Sequence, residues 1–127
     1  MARILVIDDD RLARYTILQF LDGAGHEVVE ASSGRLGVSH HQSQNFELVI
    51  TDIVMPDMEG IAVIREIRKT RPDQQIIAVT GGGATGRGAV LFLRFAQELG
   101  ADRVLKKPFT EEDLLACVDA CLSIVEP

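Results

Sequence analysis

Short apolar runs alternate with longer amphipathic stretches along this chain. Ile4-Leu5-Val6-Ile7, Val28-Val29, Leu48-Val49-Ile50 and Ile76-Ile77-Ala78-Val79 are rich in β-branched residues and too short to be independent helices. Being apolar at consecutive positions, each must be covered on both faces, as interior strands of a parallel sheet are. Val104-Leu105 supplies a weaker fifth strand.

Between these runs the spacing turns helical. Leu12, Ile17, Leu18 and Leu21 make one apolar stripe, closed by Gly23 and Gly25. Ile61, Ile64 and Ile67 make another, with Arg65, Glu66, Arg68 and Lys69 assigned to solvent. Val90, Leu91, Leu93, Phe95 and Leu99 form a further stripe, ended by Gly100. Thr110-Glu111-Glu112-Asp113 reads as an N-cap with acids in the first turn, close to a capping box, and Leu114, Val118, Cys121, Leu122 and Val125 follow as the buried face. Residues 34–43 are the least marked helix, weakly apolar and polar at the end. The whole reads as strand–helix repeated five times, an α/β chain with a parallel sheet, helices on both faces and right-handed crossovers.

Bulk properties narrow this picture without changing it. At 127 residues the chain suits one domain, with no second domain expected within it, whether it works alone or is the piece of a longer protein. A formal charge of -6 weighs against direct nucleic-acid binding, which needs clustered Lys and Arg. Asp8 to Asp10 interrupt the first apolar run, so no signal peptide is expected, and no stretch nears the roughly 20 apolar residues of a membrane span. A cytoplasmic protein is the default expectation. Cys117 and Cys121 are four apart with no further Cys or His nearby, and read as free thiols packed as small apolar residues.

In a parallel α/β sheet, ligands bind beyond the carboxyl ends of the strands. The first strand ends in Asp8-Asp9-Asp10, the third in Thr51-Asp52, the fourth in Thr80-Gly81-Gly82 and the fifth in Lys106-Lys107-Pro108. The topology therefore gathers carboxylates, a hydroxyl and an ammonium at one edge. Crowded carboxylates repel unless a cation joins them, and hard oxygen ligands at an open edge suit Mg²⁺. A carboxylate also serves as a nucleophile toward phosphorus, with a metal, a Lys and a hydroxyl neutralising the equatorial oxygens.

Four segments carry a resemblance over essentially the whole length: Ile4-Leu-Val-Ile-Asp-Asp9, Leu48-Val-Ile-Thr-Asp-Ile-Val-Met-Pro-Asp-Met-Glu-Gly60, Val79-Thr80 and Lys107-Pro108-Phe109. Together they resemble the receiver domain of two-component response regulators. That resemblance implies a flavodoxin-like (βα)5 doubly wound sandwich with strand order 2-1-3-4-5. It implies that Asp52 is the phosphoacceptor, that Asp8, Asp9, Asp52 and the backbone carbonyl of Val54 hold Mg²⁺, and that Thr80 and Lys107 contact the phosphoryl group. Pro108 corresponds to the family's cis-proline, and Lys106 falls one position off the motif, as a surface charge. A histidine kinase or histidine phosphotransfer protein is the implied donor. The implied partner face, toward a downstream protein or a fused output domain, surrounds the fourth helix, fifth strand and fifth helix. Such a domain is a signalling switch rather than an enzyme acting on outside substrates.

Other positions divide between chemistry and structure. Asp10 reads as the cap of the first helix, Asp57 as a turn residue and Gly60 as relief for the backbone where the next helix starts. His26, His40 and His41 read as surface histidines. Gly81 to Gly88 has the spacing of a phosphate loop but carries Arg87 and Gly88 where Lys and Ser or Thr belong, and reads as a mobile loop. Two departures from the family pattern stand out. The stretch from Thr80 to Lys107 is a few residues longer than in compact members, and Val104 replaces the aromatic residue that often switches rotamer. Val54 and Gly82, at positions that tune phosphoryl lifetime, offer no side chain to position water, so a phosphoryl group that is not unusually short-lived is expected. Two alternatives stay open: a pseudo-receiver used only for docking, and a haloacid-dehalogenase-type Mg²⁺ phosphatase built on Asp8 and Asp10. The latter leaves Asp52-Ile-Val-Met-Pro56 unexplained.

Overall fold

Parallel pairing of five strands organises the chain. The computed structural model describes residues 1–53, 60–80, 94, 97–98 and 100–125. In chain order the elements are β1 (Arg3–Ile7), α1 (Arg11–Gly23), β2 (Glu27–Ala31), α2 (Gly34–Ser43), β3 (Leu48–Asp52), α3 (Gly60–Thr70), β4 (Gln75–Thr80), β5 (Arg103–Lys106) and α4 (Glu111–Val125). The strands are all parallel, as the apolar pattern predicts, and lie in the order β2-β1-β3-β4-β5 that the family resemblance implies. Of the helix expected over Val90 to Leu99, only Arg94, Gln97 and Glu98 are among the described residues, and all three are helical.

Alternation along each strand splits the core into two layers. Leu5, Ile7, Val49, Ile76 and Ala78 face α3, meeting Val63, Ile64 and Ile67. Ile4, Val6, Leu48, Ile50, Ile77 and Val79 face the other way, onto Ile17 and Leu21 of α1 and Leu114, Val118 and Cys121 of α4. The runs are apolar at every position because both sheet faces are covered. Both thiols are free, and burial pushes that of Cys121 up to about 11 and raises that of Cys117, so both stay protonated and inert at neutral pH.

Capping follows the sequence closely. Asp10 Oδ1 accepts from the amide of Leu12 at 3.1 Å to start α1. Thr110 and Asp113 form a reciprocal capping box, with Asp113 N donating to Thr110 Oγ1 at 3.0 Å and Thr110 N to Asp113 Oδ2 at 3.3 Å. Gly25 takes the positive φ of 89° that ends α1.

Three side chains depart from the pattern. Leu12 is 73% exposed, because at about 100° per residue it lies on the far side of α1 from the buried Ile17 and Leu21. Arg68 is not a solvent-side charge. Its guanidinium donates to the carbonyls of Pro72, Gln74 and Gly100 and pairs with Asp102 at 2.9 Å, tying α3 to the segments that enter β4 and β5.

His41 is buried rather than on the surface, with its Nε2 2.9 Å from Gln74 Oε1. Gln74 Nε2 donates to the carbonyl of Phe46, so Oε1 faces the ring as an acceptor and Nε2 of the ring carries the proton. Burial lowers the pKa of His41 below 6.5, opposed by the Gln74 bond and aided by the charge of Arg71. The unfolded chain therefore binds this proton first as pH falls, and the stability His41 contributes is present above pH 6.5 and lost below it. His41→Gln should flatten the fall in urea midpoint between about pH 7.5 and pH 5. An unchanged slope would place the acid sensitivity in other groups.

Candidate functional site

The sheet register alone brings the acidic and basic residues to one edge. Ile7 pairs with Thr51, Asp52 with Val79 and Thr80 with Lys106, so the residues that follow β1 and β5 stand beside the last residues of β3 and β4. Asp8 N continues the ladder to Ala31 O at 3.1 Å, and Lys107 N does so to Thr80 O at 2.6 Å. The chain between Lys107 and Pro108 is cis.

Lys107 is the centre of the charge network. Its Nζ lies 2.8 Å from Asp8 Oδ2 and 3.1 Å from Asp52 Oδ2, joining residues 99 and 55 positions away in sequence. Burial alone pulls the ammonium down. The bond to Asp8 and the charges of Asp52 and Asp8 outweigh it, and the pKa stands above 10.5. Asp8 is 1% exposed and Asp52 7%. Both carboxylate oxygens of Asp8 are engaged, Oδ1 accepting from Asp10 N at 2.9 Å and Oδ2 from Lys107, and each keeps a further lone pair. Its main-chain carbonyl accepts from Arg14 Nη1 at 2.8 Å.

Asp9, exposed, completes an acidic cluster. One carboxylate oxygen each from Asp8, Asp9 and Asp52 lies within 4.8 Å of the others. Around a six-coordinate Mg²⁺, ligand oxygens lie about 3 Å apart when adjacent and about 4 Å when opposite, so small side-chain shifts bring these three onto one ion. Three carboxylates against one ammonium leave two formal negative charges, which suits a divalent cation. Val54, expected to add its carbonyl, lies outside the described residues, as do Asp57, Gly82 and the loop from Gly81 to Gly88.

Thr80 is fully buried at the end of β4, and its hydroxyl has no hydrogen-bond partner among the described residues. A buried hydroxyl left unpaired carries a cost that an incoming acceptor relieves. Lys106 is exposed and makes no contact with the cluster, as its position off the motif implied. Asp10 Oδ1 caps α1, and the acids that cluster with Asp8 are Asp9 and Asp52 rather than the Asp10 that the phosphatase alternative requires. His26 is half-buried and accepts from Ala2 N at 3.1 Å through Nδ1, away from the acidic edge.

Gly60 and Arg14 were not assigned to the site by the sequence pattern. Gly60 N donates to Ile53 O at 2.8 Å, and a Cβ on Gly60 would meet Asp52 O at 1.9 Å and Ile53 Cα at 2.6 Å. The glycine is thus required by close approach of α3 to the end of β3 rather than by helix-start relief. A charged residue on the first turn of a helix gives no such warning about Arg14.

The response regulator receiver domain model matches residues 4–119. The response regulator MprA of Mycolicibacterium vanbaalenii is 35% identical over 125 residues, covering 98% of this chain and 52% of MprA. The DNA-binding transcriptional regulator NtrC of Azospirillum brasilense is 35% identical over 126 residues, covering 99% of this chain and 25% of NtrC. This chain thus spans about half the length of one relative and a quarter of the other. Among solved structures, a CheY-like response regulator receiver domain protein from Methanospirillum hungatei superposes with a TM-score of 0.86 at 32% identity, over 97% of this chain and 94% of that one. NtrX from Brucella abortus superposes with a TM-score of 0.89 at 26% identity, over 97% of this chain and 27% of that one.

Proposed function

Because this chain belongs to the response regulator receiver domain family, we propose that Asp52 accepts a phosphoryl group from a phosphohistidine donor, with Mg²⁺ held by Asp8, Asp9, Asp52 and the carbonyl of Val54. The observation that carries the reading is the bridge from Lys107 Nζ to both Asp8 and Asp52, beside a buried Thr80 hydroxyl with no partner among the described residues. A structural ion pair alone would not need the third carboxylate of Asp9 within 4.8 Å, nor a buried hydroxyl on the neighbouring strand.

Each residue has a stated task. An oxygen of Asp52 attacks phosphorus in line with the donor nitrogen. The phosphorus–nitrogen bond breaks, its electron pair returns to the imidazole, and an acyl phosphate forms on Asp52. The bound cation would neutralise charge on the transferring oxygens and on the carboxylates around them. Lys107 keeps its proton throughout and turns from the Asp52 carboxylate to a phosphoryl oxygen. Thr80 donates its hydroxyl to another oxygen, a partner it does not have among the described residues. That movement, together with the surface of β5 and α4, would carry the signal to a downstream protein or an attached output domain. With Val104 in place of an aromatic residue, half-buried against the α3-side core, the readout rests on Thr80 and the loop after it.

Intact-mass measurement after exposure to a small-molecule phosphodonor tests the reading. One added phosphoryl group is expected in the presence of Mg²⁺, with formation slowed by at least about 100-fold when the ion is chelated. No adduct with Mg²⁺ present would instead favour a docking module that never takes phosphate. Continuous release of phosphate from monoesters would favour a phosphatase.

A further inference from the structure

Asp8 and Asp9 are joined by a single peptide plane, and its oxygen is the one Arg14 grips. Arg14 Nη1 donates to Asp8 O at 2.8 Å, and Nε donates to Glu30 Oε1 at 3.1 Å on β2. The guanidinium therefore spans from the end of one strand to the turn that carries both acids. Its side chain is largely buried, 16% exposed, whereas that of Glu30 is 42% exposed, so the arginine is held in place by packing as well as charge. Asp8 is fixed three further ways, through its amide to Ala31 O, through Oδ1 to Asp10 N and through Oδ2 to Lys107. Asp9 has none of these anchors: it is exposed, and no hydrogen bond of its side chain is among those described. What directs its carboxylate toward Asp52 is the tilt of the Asp8–Asp9 peptide, and among the described residues Arg14 is the side chain that donates to that peptide's oxygen.

We propose that Arg14 is a positioning residue for the metal site, setting the direction of Asp9 by holding the Asp8 carbonyl, with Glu30 as its prop. The proposal rests on the reading of Asp8, Asp9 and Asp52 as metal ligands. Groups that orient metal ligands from behind commonly change affinity by about 10–100-fold when removed. The charge of Arg14 makes the test unusually clean. Deleting a cation beside a Mg²⁺ site raises affinity for the ion by electrostatics alone. A loss of affinity therefore isolates orientation.

The experiment is a calorimetric Mg²⁺ titration of the full chain, with backbone amide shifts of Asp9 and Asp10 followed by NMR and thermal melts in parallel. Arg14→Gln is expected to weaken Mg²⁺ binding about tenfold or more and to shift the Asp9 amide before any ion is added. Arg14→Lys, which reaches one partner but not both, is expected to fall between. Glu30→Gln, which keeps an acceptor for Nε, should stay within about threefold of the parent. Equal or tighter Mg²⁺ binding by Arg14→Gln, with or without a drop in melting temperature, overturns the proposal and leaves Arg14 as a staple between α1 and β2. A parent chain that shows no saturable Mg²⁺ binding overturns the metal reading itself, and the two failures are thereby told apart. If Arg14→Gln does not fold, Arg14→Lys carries the same decision through its affinity relative to the parent.

Discussion

Asp52→Asn is expected to abolish the phosphoryl adduct entirely while leaving the fold in place. Asparagine matches aspartate in shape, and its Oδ1 still accepts from Lys107 Nζ, now 3.1 Å from Asp52 Oδ2. Lys107 also retains Asp8 at 2.8 Å, so no buried ammonium is stranded. Stability should shift by no more than about 1 kcal/mol, because one of three crowded carboxylates is removed as its ion pair is lost. Phosphoryl uptake needs a carboxylate oxygen as nucleophile, and an amide oxygen does not supply one. Intact mass after phosphodonor treatment, with a urea melt as the folding control, checks both halves. An adduct that persists would move the acceptor to a neighbour, Asp9 being the exposed carboxylate within reach.

How much of this site was legible from sequence depends on the range of each interaction. Asp8, Asp52, Thr80 and Lys107 could be placed together because strand ends in a parallel sheet share one edge, a rule that needs only the strand map. The map itself was readable since Ile4 to Ile7 and Ile76 to Val79 are buried at every position. Local caps at Asp10 and Thr110 were equally plain, their partners lying two and three residues away. Interactions between residues far apart were not. His41 meets Gln74 across 33 positions, and Arg68 meets Gly100 and Asp102 across 32 and 34. Neither residue type signals burial, because a polar group goes inside only when a partner is waiting there. Leu12 failed the other way, a hydrophobe five and nine residues from the buried Ile17 and Leu21, spacings that turn it to the opposite face of α1.

Three residues outside the motifs share a role. Arg14, Gly60 and Arg68 bear no phosphoryl chemistry, yet each fixes a segment that does or a strand beside it. Arg14 holds the acidic turn and Gly60 admits α3 to the end of β3, while Arg68 anchors the chain entering β5, which ends one residue before Lys107. Motif residues announce the reaction, and geometry-setting residues become visible only through their contacts.

Gly60→Ala tests that division with the larger structural consequence. A Cβ at this position would stand 1.9 Å from Asp52 O, 2.7 Å from Asp52 C and 2.6 Å from Ile53 Cα. All three are backbone atoms, so no side chain can rotate away, and either α3 retreats or the end of β3 yields. Gly60 N also donates to Ile53 O at 2.8 Å, a bond that retreat would lengthen or break. Both outcomes disturb Val63, Ile64 and Ile67, which are fully buried against the sheet. Overpacking of this kind costs about 3 kcal/mol, the upper end of its usual range, and lowers the melting temperature by about 10 °C. The intrinsic gain of Ala over Gly in a helix, about 1 kcal/mol, is too small to offset it. Because the atom struck is the carbonyl of Asp52, phosphorylation should slow as well, by about tenfold or more for a displacement near 1 Å. A melt and a phosphodonor time course on the same sample separate the effects. Lost stability with an unaltered rate would mean that α3 moves and Asp52 does not, while an unchanged melt would contradict the close approach itself.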